Sequence, residues 1–357
     1  MAGFSFRTLF VSFAIVLFWI FVMSVFLFSP HIVKLFRKEK SLTIFTFPML
    51  IDAQYLSKFE KETGIKLYIS YYESNEELLV KMRETKGRGY DIVIPSDYAV
   101  EILTREQLLQ KIDKRKLPFW DTIDQRFLGH YFDPENEYSI PYLWEVYQIG
   151  INKAYFKKGR PEASWGLVFD QEKAPKKIGM INNAREAILI AAFYLFGEIE
   201  NITSERIEKI KKLLLKQKKW VEAYTDLRSD YLLLSGAVPV AVGMSGEIWH
   251  ATRFEKNLDF LIPKEGTFMV IDNIGISARS KKQDLAHTFI QYLYTPEVMS
   301  HHADKYSVFP VTTNVTLSDY FICSMQKIWK EAKKLEFFRN VLSEKQLNEV
   351  WIELKAN

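Results

Sequence analysis

Two hydrophobic periods alternate along the chain after residue 40. Residues 41–47 (SLTIFTF), 66–73 (KLYISYYE) and 90–94 (YDIVI) are alternating or β-branched and aromatic, which predicts strands. Residues 52–63, 75–86 and 98–107 read as helices. Leu56 and Phe59 mark the inner side of the first, Gly64 stops it, and Ser74 with Glu77 makes a capping box for the second. Strands alternating with helices predict an α/β unit with a mostly parallel sheet, whose ligands bind beyond the carboxyl ends of the strands. The candidates there are Thr46, Phe47 and Pro48 after the first strand and Pro95, Ser96, Asp97 and Tyr98 after the third.

The pattern changes at residues 138–152, YSIPYLWEVYQIGIN, after the turn Asp133-Pro134-Glu135-Asn136. The run is extended in character but long for one strand, and Pro141 cannot donate to a sheet ladder. It reads either as a crossover between two lobes or as a buried strand with an irregular start. Residues 269–276, MVIDNIGI, resemble a second crossover. Between them the pattern predicts strands at 177–181, 238–242 and 260–262, a helix capped by Asn182-Asn183, a buried apolar helix over 188–196 and a short helix over 230–235. Amphipathic helices follow at 284–294 and 340–355. A chain of 357 residues exceeds one ordinary core, so two domains are expected.

Ahead of this lies a different kind of segment. Residues 8–30, TLFVSFAIVLFWIFVMSVFLFSP, are long enough to span a bilayer, and no A-x-A cleavage site follows. An uncleaved membrane anchor and a removed signal are the two readings. Arg7 precedes the run, whereas Lys34, Arg37, Lys38 and Lys40 follow it, a bias that favours a cytoplasmic globular part.

Composition narrows the function. The net charge of +4 is mild and spread out, which gives no reason to expect nucleic acid. The concentrated lysines, Lys209, Lys211, Lys212, Lys216, Lys218 and Lys219, share a helix with Ile207, Ile210 and Leu214 and read as a solvated amphipathic face, with a partner surface as the alternative. One cysteine, Cys323, allows neither an internal disulfide nor a cysteine-based metal site. His301-His302 diverge on a helix and read as surface residues. No Gly-rich phosphate loop, G-x-S-x-G elbow or metal-ligand cluster is present, so neither an enzyme nor a cofactor is expected.

An ordered set of stretches then points to a family. Residues 59–65 (FEKETGI), 72–75 (YESN), 90–98 (YDIVIPSDY), 110–116 (QKIDKRK) and 132–144 (FDPENEYSIPYLW), then Ala184-Arg185-Glu186, PKEG at 263–266 and Asp272, resemble the periplasmic spermidine/putrescine-binding proteins of ABC polyamine importers. The resemblance runs from about Leu42 to the C-terminus. It implies an α/β, two-lobed periplasmic-binding-protein fold with hinge crossovers, here preceded by an N-terminal transmembrane anchor. The first lobe is expected at 41–145 plus 272–315 and the second at 146–271 plus 316–357, with 1–40 as the membrane segment. It also implies capture of a polyamine, partnership with an inner-membrane ABC permease, and a periplasmic location tethered by the N-terminal helix. The flanking charges favour the reverse orientation, and this conflict stays open, although long domains can translocate despite local charge bias. A different cationic solute, or a membrane-tethered polyamine sensor without transport, is the alternative.

A polyamine needs carboxylates at its ammonium groups and aromatic faces over its methylenes. By resemblance the ligand-binding positions are Phe47, Ser96, Tyr98, Asn183, Glu186, Met244, Asp272 and Phe309. Several depart from the family. Phe47, Met244 and Val270 replace tryptophans, Asn183 an aspartate, Phe309 a tyrosine and Phe338 a glutamine, while Pro48 and Leu50 replace polar and aromatic partners. Asp97, Glu145, Glu247 and Trp249 are near enough in sequence to compensate. Structural roles stay open for three positions: Ser96 as a helix cap, Tyr98 as helix-face packing and Glu186 as an ion-pair partner of Arg185. Asp272, inside an apolar run, is hardest to explain without a partner, because an unpaired buried carboxylate is costly.

Overall fold

The computed structural model describes residues 15–19, 23, 40–226, 228–332 and 334–356. The expected anchor at 8–30 therefore lies outside the described residues except at 15–19 and 23, and among the described residues no helix is long and apolar enough to cross a membrane.

Twelve strands are present among the described residues: β1 Ser41–Thr46, β2 Lys66–Tyr71, β3 Ile92–Val93, β4 Leu109–Gln110, β5 Ser139–Asn152, β6 Ile178–Ile181, β7 Val221–Thr225, β8 Val240–Met244, β9 Leu258–Leu261, β10 Thr267–Ser277, β11 Phe309–Pro310 and β12 Leu335–Glu336. Their order is β2-β1-β3-β10-β5-β8-β6-β7, with β4 and β12 beside β10, and β9 and β11 beside β5. At one end β1 runs parallel to β2 and β3; at the other β6 runs parallel to β7 and β8. The two parallel groups make two α/β lobes, and the antiparallel pair β5–β10 lies between them.

β5 is the crossover that its length suggested. Residues 139–146 pair with β10, whereas 147–152 pair with β8 and β9 of the other lobe. Every residue from Ser139 to Ile151 is buried. Pro141 is accommodated because the β5–β10 register shifts between Asp272 and Asn273, where Asn273 donates its backbone N–H to Pro95 O (2.8 Å) instead. The Pro141 carbonyl accepts the Tyr294 hydroxyl, so the irregular pairing leaves it satisfied.

Local signals set the helix ends. Asp52 caps Ala53–Thr63, which Gly64 ends in the left-handed region (φ 69°). Asn183 caps Ala184–Phe196, the apolar helix, with Gly197 (φ 71°) after it. The lysine-rich helix Ser204–Gln217 buries Ile210 and Leu214 and leaves most lysines in solvent. Helices Ser245–Phe254 and Asp319–Glu331 and strand β7 were not anticipated, and the C-terminal helix starts at Glu344 rather than near Asn340.

One expectation reverses here. His302 is fully buried and His301 half-buried, not surface residues. His302 accepts the Asp52 N–H through Nε2 (3.1 Å) and meets the Tyr142 hydroxyl through Nδ1 (2.7 Å), and His301 Nε2 lies 2.6 Å from Asp52 Oδ2. The helix carrying them packs over the start of Ala53–Thr63, so both imidazoles turn inward to Asp52, His301 to its carboxylate and His302 to its backbone N–H.

Candidate functional site

A cleft of about 380 Å³ opens between the lobes. Its walls form where the parallel strands end. Phe47 and Pro48 follow β1, Ser96 follows β3, Asn183 follows β6, Asp226 follows β7 and Glu247 follows β8. The floor comes from the crossovers through Glu145 and Tyr147 on β5 and Val270 and Asp272 on β10. Glu145 and Tyr147, two positions apart on a strand, share a face.

Four carboxylates define the chemistry. Asp272, 7% exposed beside the register shift, accepts the Ser96 hydroxyl at 2.9 Å. Ser96 stands at the N-cap position of Asp97–Arg105 but makes no side-chain capping bond, so its hydroxyl serves Asp272 rather than the helix. Burial pushes the Asp272 carboxyl up to about 6. Glu145, 8% exposed, accepts the Gly246 N–H at 2.7 Å at the start of Ser245–Phe254, and burial pushes it up to about 8. Glu186 accepts the Tyr147 hydroxyl at 2.6 Å, and Glu247 accepts both the backbone and the hydroxyl of Ser229. Burial raises these two to about 8 and about 7, with neighbouring carboxylates adding to the rise. Glu186 and Glu247 are only half-buried, so the cleft itself supplies part of their surroundings. Among the described residues none of the four has an ion-pair partner, and such desolvated carboxylates are poised to take a cation.

Between the acids lie rings and apolar groups. Tyr98 is buried, with its hydroxyl 3.0 Å from Glu76 Oε1 and the Arg185 guanidinium 4.5 Å over its ring. Arg185 is itself buried and 3.9 Å from Glu76, so it joins the Tyr98 side of the cleft and not Glu186. Asn183 reaches the same Glu76 at 3.3 Å while its other amide atom caps Glu186 N–H. Phe47 packs on Tyr72 (4.3 Å), and Phe338 stacks on Phe268 (4.2 Å) beside Tyr147.

Of the expected ligand-binding residues, Phe47, Ser96, Tyr98, Asn183, Glu186, Met244 and Asp272 line the cleft. Phe309 does not. It is fully buried, stacked on Trp144 (4.5 Å) and edge-on to Trp249 (4.5 Å), while its neighbour Val308 faces the cleft. Alternation along β11 turns Phe309 into the core. Among the four compensating candidates, Glu145 and Glu247 reach the cleft. Asp97 instead accepts the Ile271 N–H (3.0 Å), and Trp249 sits in the core. The lining also includes Asp226, Asp230, His250, Lys305 and Tyr306, which sequence reasoning missed. Asp226 was within reach: recognising β7 as a parallel strand would have placed its carboxyl end at the cleft. Among the described residues no group of three or more His, Cys, Asp or Glu is placed to hold a metal ion.

Two α/β lobes joined by long crossovers, with a ligand-sized cleft between them, define a receptor for a small solute. The chain belongs to the bacterial extracellular solute-binding proteins, whose family profile matches residues 54–334. It is 30% identical over 296 residues to the putrescine-binding periplasmic protein PotF of Escherichia coli, covering 78% of this chain and 80% of that one. To the putrescine-binding periplasmic protein SpuD of Pseudomonas aeruginosa it is 31% identical over 282 residues, 74% and 77% of the two chains. A putative spermidine/putrescine ABC transporter structure from Listeria monocytogenes superposes with a TM-score of 0.78 at 29% identity, covering 88% of this chain and 99% of that one. Capture of a solute, not its turnover, is the activity of this family.

Proposed function

We propose that this protein is the solute-binding component of an ABC importer, capturing a polyamine of the spermidine/putrescine type between its lobes and handing it to a membrane permease. The observation that carries this reading is the set Asp272, Glu145, Glu186 and Glu247, four carboxylates facing one cleft with Tyr98, Tyr147, Phe47 and Met244 among them. Each ammonium gains charge-assisted hydrogen bonds, and the methylenes gain rings and thioether. The names of the relatives support the same ligand class. Lobe boundaries at 41–145 plus 272–315 and 146–271 plus 316–357 fit β5, which changes partners at Val146/Tyr147, and the C-terminal helix Glu344–Ala356, which packs on Ala184–Phe196 and Ser204–Gln217. The periplasmic location, with residues 8–30 as tether, belongs to the same proposal. Its test is fractionation of the full chain against one lacking those residues, with release of the shortened form expected.

The deciding experiment is calorimetric titration of the full chain in detergent with putrescine, cadaverine, spermidine and spermine. Saturable binding of one of them, lost in Asp272→Asn, is expected. Absence of binding to all four would mean that the replaced tryptophans and Asn183 have redirected the cleft to another solute.

A further inference from the structure

Beside the cleft the two lobes meet through polar groups that involve no ligand. Glu76 lies in the first turn of Asn75–Thr85 in the first lobe, next to Asn75, which lines the cleft. Its Oε1 accepts the Tyr98 hydroxyl (3.0 Å) within that lobe. Its Oε2 accepts an amide N–H from the Asn183 side chain (3.3 Å) in the second lobe, and Arg185 Nε stands 3.9 Å from Oε1. The buried Arg185 guanidinium also covers the Tyr98 ring at 4.5 Å. One carboxylate of the first lobe thus gathers two donors from the start of Ala184–Phe196 in the second.

Asn183 lines the cleft, yet its side chain is spent on the protein. As N-cap of Ala184–Phe196 its Oδ1 accepts the Glu186 N–H (3.2 Å). The oxygen being held there, the amide nitrogen turns to Glu76. A flipped amide would set N–H against N–H and oxygen against carboxylate, so both partners fix the same orientation. Capping has already ordered the side chain, and the reach across the gap costs little further entropy. Resting on the reading of this protein as a receptor that closes on a solute, we infer that Asn183 is a clasp between the lobes and not a ligand contact. With Arg185 it binds Glu76 and holds part of the ligand-free protein closed. It sets affinity at a distance from the ligand, because the apparent Kd is the intrinsic Kd divided by the fraction already competent to bind.

The test is Asn183→Asp, which keeps an oxygen for the cap but turns the donor facing Glu76 into a second carboxylate. Its control is the exchange Glu76→Gln/Asn183→Asp, which restores one donor and one carboxylate with their places swapped. Lobe separation in the full chain is read by pulsed electron spin resonance between labels on Lys81→Cys and Lys212→Cys, exposed positions on the two lobes, with the exposed Cys323 removed as Cys323→Ser. The ligand-free protein is expected to show a shorter and a longer separation. Asn183→Asp is expected to lower the ratio of short to long roughly tenfold, the scale of two like charges at that spacing in an exposed place, and to weaken putrescine binding by calorimetry. The exchange is expected to bring the short separation back. A ligand-free protein that shows only the longer separation overturns the clasp, as does an exchange variant that stays as open as Asn183→Asp. Unchanged separations in Asn183→Asp, above all with tighter putrescine binding, overturn it too and make Asn183 a ligand contact. Failure of the unaltered cleft to bind putrescine removes the polyamine reading alone, because the separations decide the clasp without a ligand.

Discussion

Ligand capture should expel protons. In the empty cleft, burial holds Glu145 and Glu186 near 8, Glu247 near 7 and Asp272 near 6. At neutral pH the first two are thus mostly protonated, Glu247 about half and Asp272 little. An ammonium at hydrogen-bonding distance favours the ionised form and lowers a carboxyl pKa by about 1–3 units, whereas a primary amine titrating near 10 stays charged throughout. Binding at pH 7 should therefore release roughly one to two protons, and the association constant should rise by about one to two decades per pH unit near neutrality, levelling off above about pH 9. Glu145 leads this expectation because, with Asp272, it is buried in the protein itself, while Glu186 and Glu247 keep part of their surface in the cleft. The assay is calorimetric titration at pH 7 in phosphate and in Tris. The difference in apparent enthalpy, divided by the difference in buffer ionisation enthalpy, gives the proton count. Glu145→Gln should reduce that count by about one if its carboxyl is the main donor, read as a property of the coupled set and not of one isolated site. Equal enthalpies in the two buffers, or an affinity flat between pH 6 and 8, would show that the acids are already ionised in the empty protein and refute the reasoning.

Four further outcomes follow from the same geometry. Asp272→Asn keeps a partner for Ser96 but removes the charge, so affinity should fall by about 2–5 kcal/mol, at least thirtyfold, without a lower melting temperature; calorimetry and a thermal melt together check this. In the ligand-free protein the folded values of Glu145, Glu186 and Glu247 lie above those of an unfolded carboxylate, so the stability they contribute is present in full below about pH 4 and is lost as pH rises through them. His302, held down near 4 by burial, acts in the opposite sense below about 6.5, so the clean window is pH 7 to 8.5, where the melting temperature should fall and a rise would count against the raised values. Phe309→Ala should cost about 3–5 kcal/mol of stability in a denaturant titration, because it removes the ring between Trp144 and Trp249. A Cβ on Gly243 would collide with Ser229 Oγ and lie 3.1 Å from Glu247 Oε2, so Gly243→Ala should destabilise by about 1–3 kcal/mol and weaken binding by dislodging the Ser229–Glu247 contact.

Much of this arrangement could be read from the chain before any coordinates, and the misses share a cause. The long extended run ending at Asn152 marked a crossover because period, length and Pro141 all departed from an ordinary strand. Asp272 stood out as a charge inside an apolar run. Glu186 was legible through its capping turn and resemblance, but its bond to Tyr147 was not, since the two are 39 positions apart. Phe309 failed because its two-residue strand gives no period from which to tell inside from cleft. His301 and His302 failed because Asp52, whose carboxylate meets the first and whose backbone N–H meets the second, lies about 250 positions away. Local pattern shows which face of an element is apolar. It is silent on which distant polar group meets the polar exceptions.

The placement of the acids also accounts for how a ligand can favour a closed cleft. Asp272 and Glu145 sit on the two crossover strands, which pair with each other over much of their length and move least in a hinge motion. Glu186 and Glu247 sit in the first turns of Ala184–Phe196 and Ser245–Phe254, in the second lobe, which a hinge motion would carry relative to the crossovers. Glu76 and Tyr98, from the opposite lobe, already touch Asn183 and Arg185 across the gap, so closure has protein contacts of its own. Those contacts involve no ligand and set only the starting balance. A ligand shifts that balance through its difference in affinity for the two states. A cation that reaches only the crossover pair binds both states alike and shifts nothing. A molecule with a second ammonium at the right distance bridges the fixed pair to the moving pair, and the bridge exists only when the lobes are together. On the proposed reading, a ligand couples recognition to closure when its charges meet acids on the crossovers and acids on the second lobe at once.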